Sequence, residues 1–151
     1  MTWFSPATSR DGVLSTVPDF QRGFDALYAS LWSQQAMPAA ILELCRLRIA
    51  QMHRCEVEWQ RKSFALPQEQ RDQLKDWHRS PAFSAAERAC LDLCEVYTAD
   101  PAAISDAQAD AVKAHFGEAG FVALAEAMGL FFGLTRLSLL WQLQPEGLLH
   151  D

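Results

Sequence analysis

The sequence predicts an all-α fold, and three observations carry that reading. Apolar residues recur at three- and four-residue spacing through most of the chain. Two helix-start signatures, Ser84 with Glu87 and Ser105 with Gln108, stand just before such runs. No alternating strand pattern of useful length occurs. Half of the 151 residues are hydrophobic, with five Trp and nine Phe, so the chain carries apolar mass for a real core and is not expected to be disordered. It reads as a single domain, 1–151, with its core at about 20–147. There is no linker, low-complexity tract or internal repeat.

Each element has its own signal. Phe20, Phe24, Leu27 and Leu31 mark an amphipathic helix over about 19–35. Pro38 opens a second helix that runs to about Met52, with Ile41, Cys45, Ile49 and Met52 as its buried stripe. A break at His53-Arg54 leads to a third helix, about Cys55 to Ala65, stopped before Pro67. Pro67 opens a fourth, to about Trp77. The Ser84 signature starts a fifth that ends near Ala99-Asp100-Pro101. The Ser105 signature starts a sixth that ends at Gly117. The last runs from about Glu118 to Leu143. Gly129 and Gly133, four apart on it, would let another helix approach closely.

Composition excludes several classes. The formal net charge is −6 and no basic cluster occurs, which argues against a nucleic-acid surface. Met1 to Pro6 lacks a charged stretch followed by an apolar run, so it does not read as a signal peptide. Glu126 and Arg136 interrupt the last helix, and no membrane span is expected. Four cysteines without a secretory signal imply a reducing cytoplasm rather than a disulfide framework. Cys90 and Cys94 share a helix face without a nearby His, which is poor evidence for zinc, and no metal is expected. Glycine-rich phosphate loops and Ser-His-Asp signatures are absent, and no cofactor is expected.

The chemistry-bearing stretch is Glu43-x11-Cys55-x2-Glu58-Trp59-x2-Lys62. If the second and third helices form an antiparallel hairpin at His53-Arg54, Glu43 and Lys62 fall at similar heights and can pair. Cys55, Glu58 and Lys62 then form a row on one helix face, with Glu43 opposite. The thiol at the helix start would have its pKa lowered, and Lys62 could help. Alternatives remain: Cys55 as a packing residue, and the charges as a salt-bridge cluster.

The spacing resembles E-x11-C-x2-C-x3-H of the alkylhydroperoxidase D-like, or carboxymuconolactone decarboxylase-like, superfamily. Glu43 and Cys55 match. Glu58 stands at the second cysteine and Lys62 at the histidine. Cys55-x2-Glu58-Trp59 is closer to a carboxymuconolactone decarboxylase-like branch. The resemblance extends from the helix around Leu44 to Gln51 through Thr135-Arg136. It implies a helical bundle built on the hairpin, and a trimer or hexamer. It also implies thiol-dependent peroxidase chemistry on a peroxide or other small molecule, with a thiol reductant. Catalytic candidates are Cys55, Glu43, Glu58 and Lys62; Trp59, Arg136 and His53 are substrate-binding candidates. A glutamate cannot resolve a sulfenic acid, and a lysine ammonium is a poor base, so the two-cysteine cycle cannot run in the family's way. A cofactor-free decarboxylase or lyase of a small carboxylic acid, with Arg136 holding the carboxylate, is one alternative. A non-catalytic binding or structural oligomer is another.

Overall fold

The computed structural model describes residues 3–4 and 9–145. The end of the expected core at 146–147 and most of the Met1–Pro6 stretch lie outside them. In chain order the helices are α1 (Arg10–Leu14), α2 (Pro18–Ser33), α3 (Ala39–Met52), α4 (Glu56–Gln60), α5 (Gln68–Gln73), α6 (Ala85–Ala99) and α7 (Asp106–Leu140). Short 3-10 turns at Leu74–Asp76 and Pro101–Ala103 follow α5 and α6. Among the described residues there is no strand. Helix α1 is an addition to the expected elements; Ser9 caps it by accepting from the Gly12 amide at 3.1 Å.

α3 is the centre of the bundle and packs on α4, α6 and α7. Its run Ile41 to Leu47 is buried without a break, which is wider than the stripe expected from spacing, while Met52 at its end is exposed. A helix buried on all sides cannot keep its polar side chains in water. Glu43 and Arg46 must therefore find partners inside.

The expected helix starts on the other long elements hold. The Ser84–Glu87 and Ser105–Gln108 capping boxes both close with reciprocal hydrogen bonds. The break at Gly117 is real: it sits at φ 68°, where a side chain would be strained, and divides α7 into two arms. Gly120 follows because a Cβ there would stand 2.3 Å from Phe116 Cβ and 3.0 Å from the Ala36 carbonyl oxygen. By length and composition α7 could cross a membrane. In this fold it buries Leu124, Met128, Phe131 and Leu134 in the core.

α2 forms as expected, but of its apolar stripe only Leu31 is buried; Phe20 is 71% and Leu27 54% exposed. Between α2 and α7 runs an open apolar groove of about 480 Å³, lined by Phe20, Phe24, Leu27, Gly129, Gly133 and Leu137. Among the described residues a Cβ on Gly133 would meet nothing within 4 Å and one on Gly129 would meet only the Tyr97 hydroxyl at 3.6 Å, an ordinary contact, so the pair lines a groove and neither glycine is required by a tight helix approach within the chain.

Candidate functional site

The inward charges of α3 organise the site. Arg46 donates to both oxygens of Glu43, Nε to Oε2 at 2.8 Å and Nη2 to Oε1 at 2.7 Å. Its Nη1 lies 3.4 Å from Glu58 Oε2. Glu58 in turn accepts from Arg10 Nη2 at 2.5 Å and from Ser138 Oγ at 2.7 Å, both on Oε1, and Arg61 Nε stands 3.7 Å from Oε2. Glu43, Arg46, Glu58, Arg10 and Ser138 are all at most 4% exposed. Two buried carboxylates thus meet two buried guanidiniums, with a hydroxyl and the rim residue Arg61 completing the set. Burial would raise the Glu58 pKa, but the Arg10 charge, then the Ser138 and Arg10 hydrogen bonds, outweigh it and hold the carboxyl below its ordinary range.

The same network ends α4. The spacing predicts a helix to about Ala65, but it stops at Gln60, and Arg61 is extended at φ −62°, ψ 136°. In a continued helix Glu58 O and Trp59 O would accept from the amides of Lys62 and Ser63. Instead Arg46 Nη1 takes Glu58 O at 2.7 Å, Arg71 takes Trp59 O, and Arg46 Nη2 takes Arg61 O at 2.5 Å. The Ser63 amide donates to Glu43 Oε1 at 3.2 Å. Side chains from outside α4 have replaced the helix's own hydrogen bonds. The expected Glu43–Lys62 pair is therefore absent: Glu43 is held by Arg46, and Lys62 is exposed and pairs with no carboxylate among the described residues. The expected row of Cys55, Glu58 and Lys62 on one helix does not form.

Cys55 does stand at the start of α4, behind the His53-Arg54 turn, with Arg54 at φ 54° and the Cys55 amide donating to Ala50 O at 2.9 Å. Its thiol is buried and points at Thr135 O, 3.9 Å away. Burial pushes its pKa up, more than the Glu58 and Val57 amides and the Arg10 charge bring it down. The lowered thiol expected from sequence is corrected: a five-residue helix start offers little against the cost of burying a thiolate. The other three thiols sit together between α3 and α6. Cys94 Sγ is 3.6 Å from Cys45 O, and Cys45 Sγ is 3.8 Å from Cys90 O. All four cysteines are free, and the contacts of these three run to one another and away from Cys55.

No family model matches the sequence, and no curated protein matches it either. Solved structures do. One is a protein of unknown function from Agrobacterium tumefaciens, for which an AhpD-type antioxidant defence role has been suggested; it superposes at TM-score 0.80 over 96% of this chain and 98% of its own, with 19% identity. The chain has the alkylhydroperoxidase D-like fold. An uncharacterized peroxidase-related protein from Silicibacter sp. TM1040 matches at TM-score 0.77 and 15% identity, over 90% of this chain and 75% of that one. The debrominase Bmp8, in a cysteine-to-alanine variant with 2,3,4-tribromopyrrole bound, matches at TM-score 0.80 and 14% identity, over 90% and 75%.

On this alkylhydroperoxidase D-like scaffold the remaining candidates scatter. Trp59 is half-buried beneath the Arg71 guanidinium, 4.4 Å from its ring centre. It lines, with Cys55, Arg48, Arg54 and Lys75, a surface cleft of about 560 Å³. His53 caps α3, with Nδ1 2.9 Å from Ile49 O, and meets Phe132 edge-on at 5.0 Å. Arg136 is exposed and lies over the same Phe132 ring, its guanidinium carbon 5.4 Å from the centroid. Three residues of the buried network are absent from the sequence-based candidates. Arg46 has a signal, an arginine three residues after Glu43 on an otherwise apolar helix. Ser138 has a faint one, a hydroxyl within an apolar run. Arg10 has none.

Proposed function

We propose that this protein is a member of the alkylhydroperoxidase D-like, carboxymuconolactone decarboxylase-like superfamily that has exchanged its thiol relay for a buried ion network. Peroxidase-type oxidoreductase chemistry is then limited to one slow thiol, Cys55. The observation that carries the reading is Glu58. It occupies the second-thiol position and is committed to Arg10 at 2.5 Å and Ser138 at 2.7 Å, so it can neither resolve a sulfenic acid nor act as a base. In the surviving step the Cys55 thiolate attacks a peroxide O–O bond. The thiol becomes a sulfenic acid and the peroxide leaves as alcohol or water. An external thiol condenses with the sulfenic acid, releasing water, and a second thiol reduces the mixed disulfide.

Thiol alkylation against pH, with Cys55→Ser as control, tests this directly. The rate should climb only above the ordinary cysteine range near ~8.5, and limited peroxide should give sulfenic acid or a mixed disulfide at Cys55 with no internal disulfide. A rate that levels off below neutrality, with sustained peroxide turnover, would refute the reading. The lyase alternative has less support, because Arg136 is exposed and stacked on Phe132.

We also propose that the open α2–α7 groove seats a second copy of the chain, in a trimer or hexamer. Support comes from the exposed Phe20 and Leu27 beside the open space at Gly133. A concentration-independent monomer in light scattering would exclude it. A reducing cytoplasm fits four free thiols.

A further inference from the structure

The ion network contains one member of a different kind. Glu43, Arg46, Glu58 and Ser138 belong to α3, α4 and α7, which pack on one another. Arg10 belongs to α1, a five-residue helix whose buried residues are Arg10 and Val13 alone. A helix of that length has no stability of its own, and one buried valine contributes only about 1.5–3 kcal/mol. Phe4 also meets Trp141 edge-on, centroids 6.4 Å apart. What seats α1 is therefore chiefly the buried Arg10–Glu58 pair, and a short element seated by one pair opens locally before the fold does once that pair is exchanged.

The recess that receives Arg10 is built for a cation. Glu58 Oε1 meets its Nη2 at 2.5 Å, and Ser138 Oγ donates to the same oxygen at 2.7 Å. The rings of Phe24 and Tyr28 lie 5.9 and 5.7 Å from the guanidinium carbon, within cation–π range. The fit is incomplete, because among the described residues nothing meets the buried Arg10 Nε with a hydrogen bond. A buried guanidinium with an orphaned nitrogen is a poorer guest than a free one able to turn and use all its donors.

We propose that this recess is a binding site for a guanidinium or ammonium group on a short apolar stem, and that Arg10 is its tethered resident. Displacement of α1 by such a ligand exposes Glu58, Ser138 and the two rings, and substitutes the ligand's charge for that of Arg10. The site shares Glu58 and Arg10 with the surroundings of Cys55, whose pKa the Arg10 charge lowers, but no thiol touches the recess, and its readouts below are binding and exchange rather than thiol reactivity.

The probe is n-propylguanidinium chloride, the arginine side chain without its backbone, added to full-length Arg10→Ala with sodium chloride at equal ionic strength as control. Thermal melts should show a loss of Tm in the variant and a saturable recovery with the probe. A tethered competitor should make apparent affinity in the wild type about tenfold or more weaker. In the wild type, saturating probe should also speed amide exchange at Val13 and Ser15, which donate to Ser9 O and Asp11 O, and leave α3 unchanged. If Arg10→Ala does not fold alone, the probe should restore folding, and the wild-type exchange decides by itself. No saturable recovery, an equal effect on wild type and variant, or unchanged α1 exchange would each overturn the site. None of these readouts depends on Cys55, so failure here leaves the thiol reading intact, and failure there leaves this one.

Discussion

The two faces of α3 bury opposite kinds of chemistry. Glu43 and Cys45 are two residues apart, roughly 200° around the helix. Glu43 and Arg46 face α4, where Arg46 alone makes five hydrogen bonds with Glu43, Glu58 and Arg61. Cys45 faces α6, where it meets Cys90 and Cys94 through weak sulfur contacts of 3.6–3.8 Å. Both faces are dry. On the charged face each group has a required partner, and losing one leaves an unpaired charge in low dielectric. On the thiol face the groups behave as small hydrophobes whose neighbours can shift to fill a gap. Burial alone therefore says little about which residues are indispensable; the number of commitments says more.

The largest expected effect breaks the charged face. Arg46→Ala removes the shared partner of Glu43 and Glu58 and should cost about 3–5 kcal/mol, read by urea unfolding at pH 7. Cys94→Ala should cost about 1 kcal/mol. Similar losses for the two variants would erase the distinction between the faces.

Acid acts on the same face with a smaller effect. The folded Glu58 pKa is held below its unfolded value, so its contribution is complete above the ordinary glutamate range, ~4.3. It is lost as pH falls through the folded pKa. Tm should therefore drop below about pH 4, and Glu58→Gln, already weakened, should show a shallower acid slope. A variant slope equal to the wild type's would assign the acid sensitivity to other carboxylates.

Much of this molecule is legible from sequence, for reasons that also mark the limit. The long helices follow from 3.6-residue spacing, the α6 and α7 starts from capping boxes, and the Gly117 break from a residue that tolerates φ 68°. These are local signals. The order of Glu43, Cys55, Glu58 and Trp59 points to the fold that the solved structures share. The end of α4 is not legible, because arginines at positions 46 and 71 take its carbonyls, and nothing within residues 55–65 encodes that. Arg10 lies 48 residues from Glu58; no periodicity connects them. The open stripe of α2 reads as buried because spacing identifies an apolar face without saying what covers it.

Thiol accessibility sharpens the comparison further. Burial and the neighbouring Cys94 and Glu87 push Cys90 up to about 12, leaving ~10⁻⁴ of it ionised at pH 8. Cys55 is shifted upward too, but it borders the cleft formed with Arg54 and Lys75. In the native protein a disulfide reagent should modify Cys55 at least roughly tenfold faster than Cys45, Cys90 or Cys94, which wait for wider opening of the α3–α6 contact. All four should react at once in denaturant. If Cys90 or Cys94 reacted first, the α3–α6 face would be the looser of the two.

The smallest effect belongs to Lys62, and its smallness is informative. The family spacing puts a histidine at this position, and sequence alone suggests a lysine paired with Glu43. Here the backbone turns extended at Arg61, the Ser63 amide donates to Glu43, and Lys62 is exposed, without an ion pair among the described residues. Lys62→Ala should therefore change stability by no more than about 0.5 kcal/mol and leave the pH profile of Cys55 alkylation unmoved. Lys62→His should do the same, because an imidazole there would start from an exposed position beyond the helix end, without the Glu43 carboxylate to orient it. A gain in peroxide turnover from Lys62→His would mean that residues 61–63 can rejoin the helix, which requires Glu43 and Arg46 to release the backbone groups they hold. That outcome would turn the closed charged face into one of two exchangeable states.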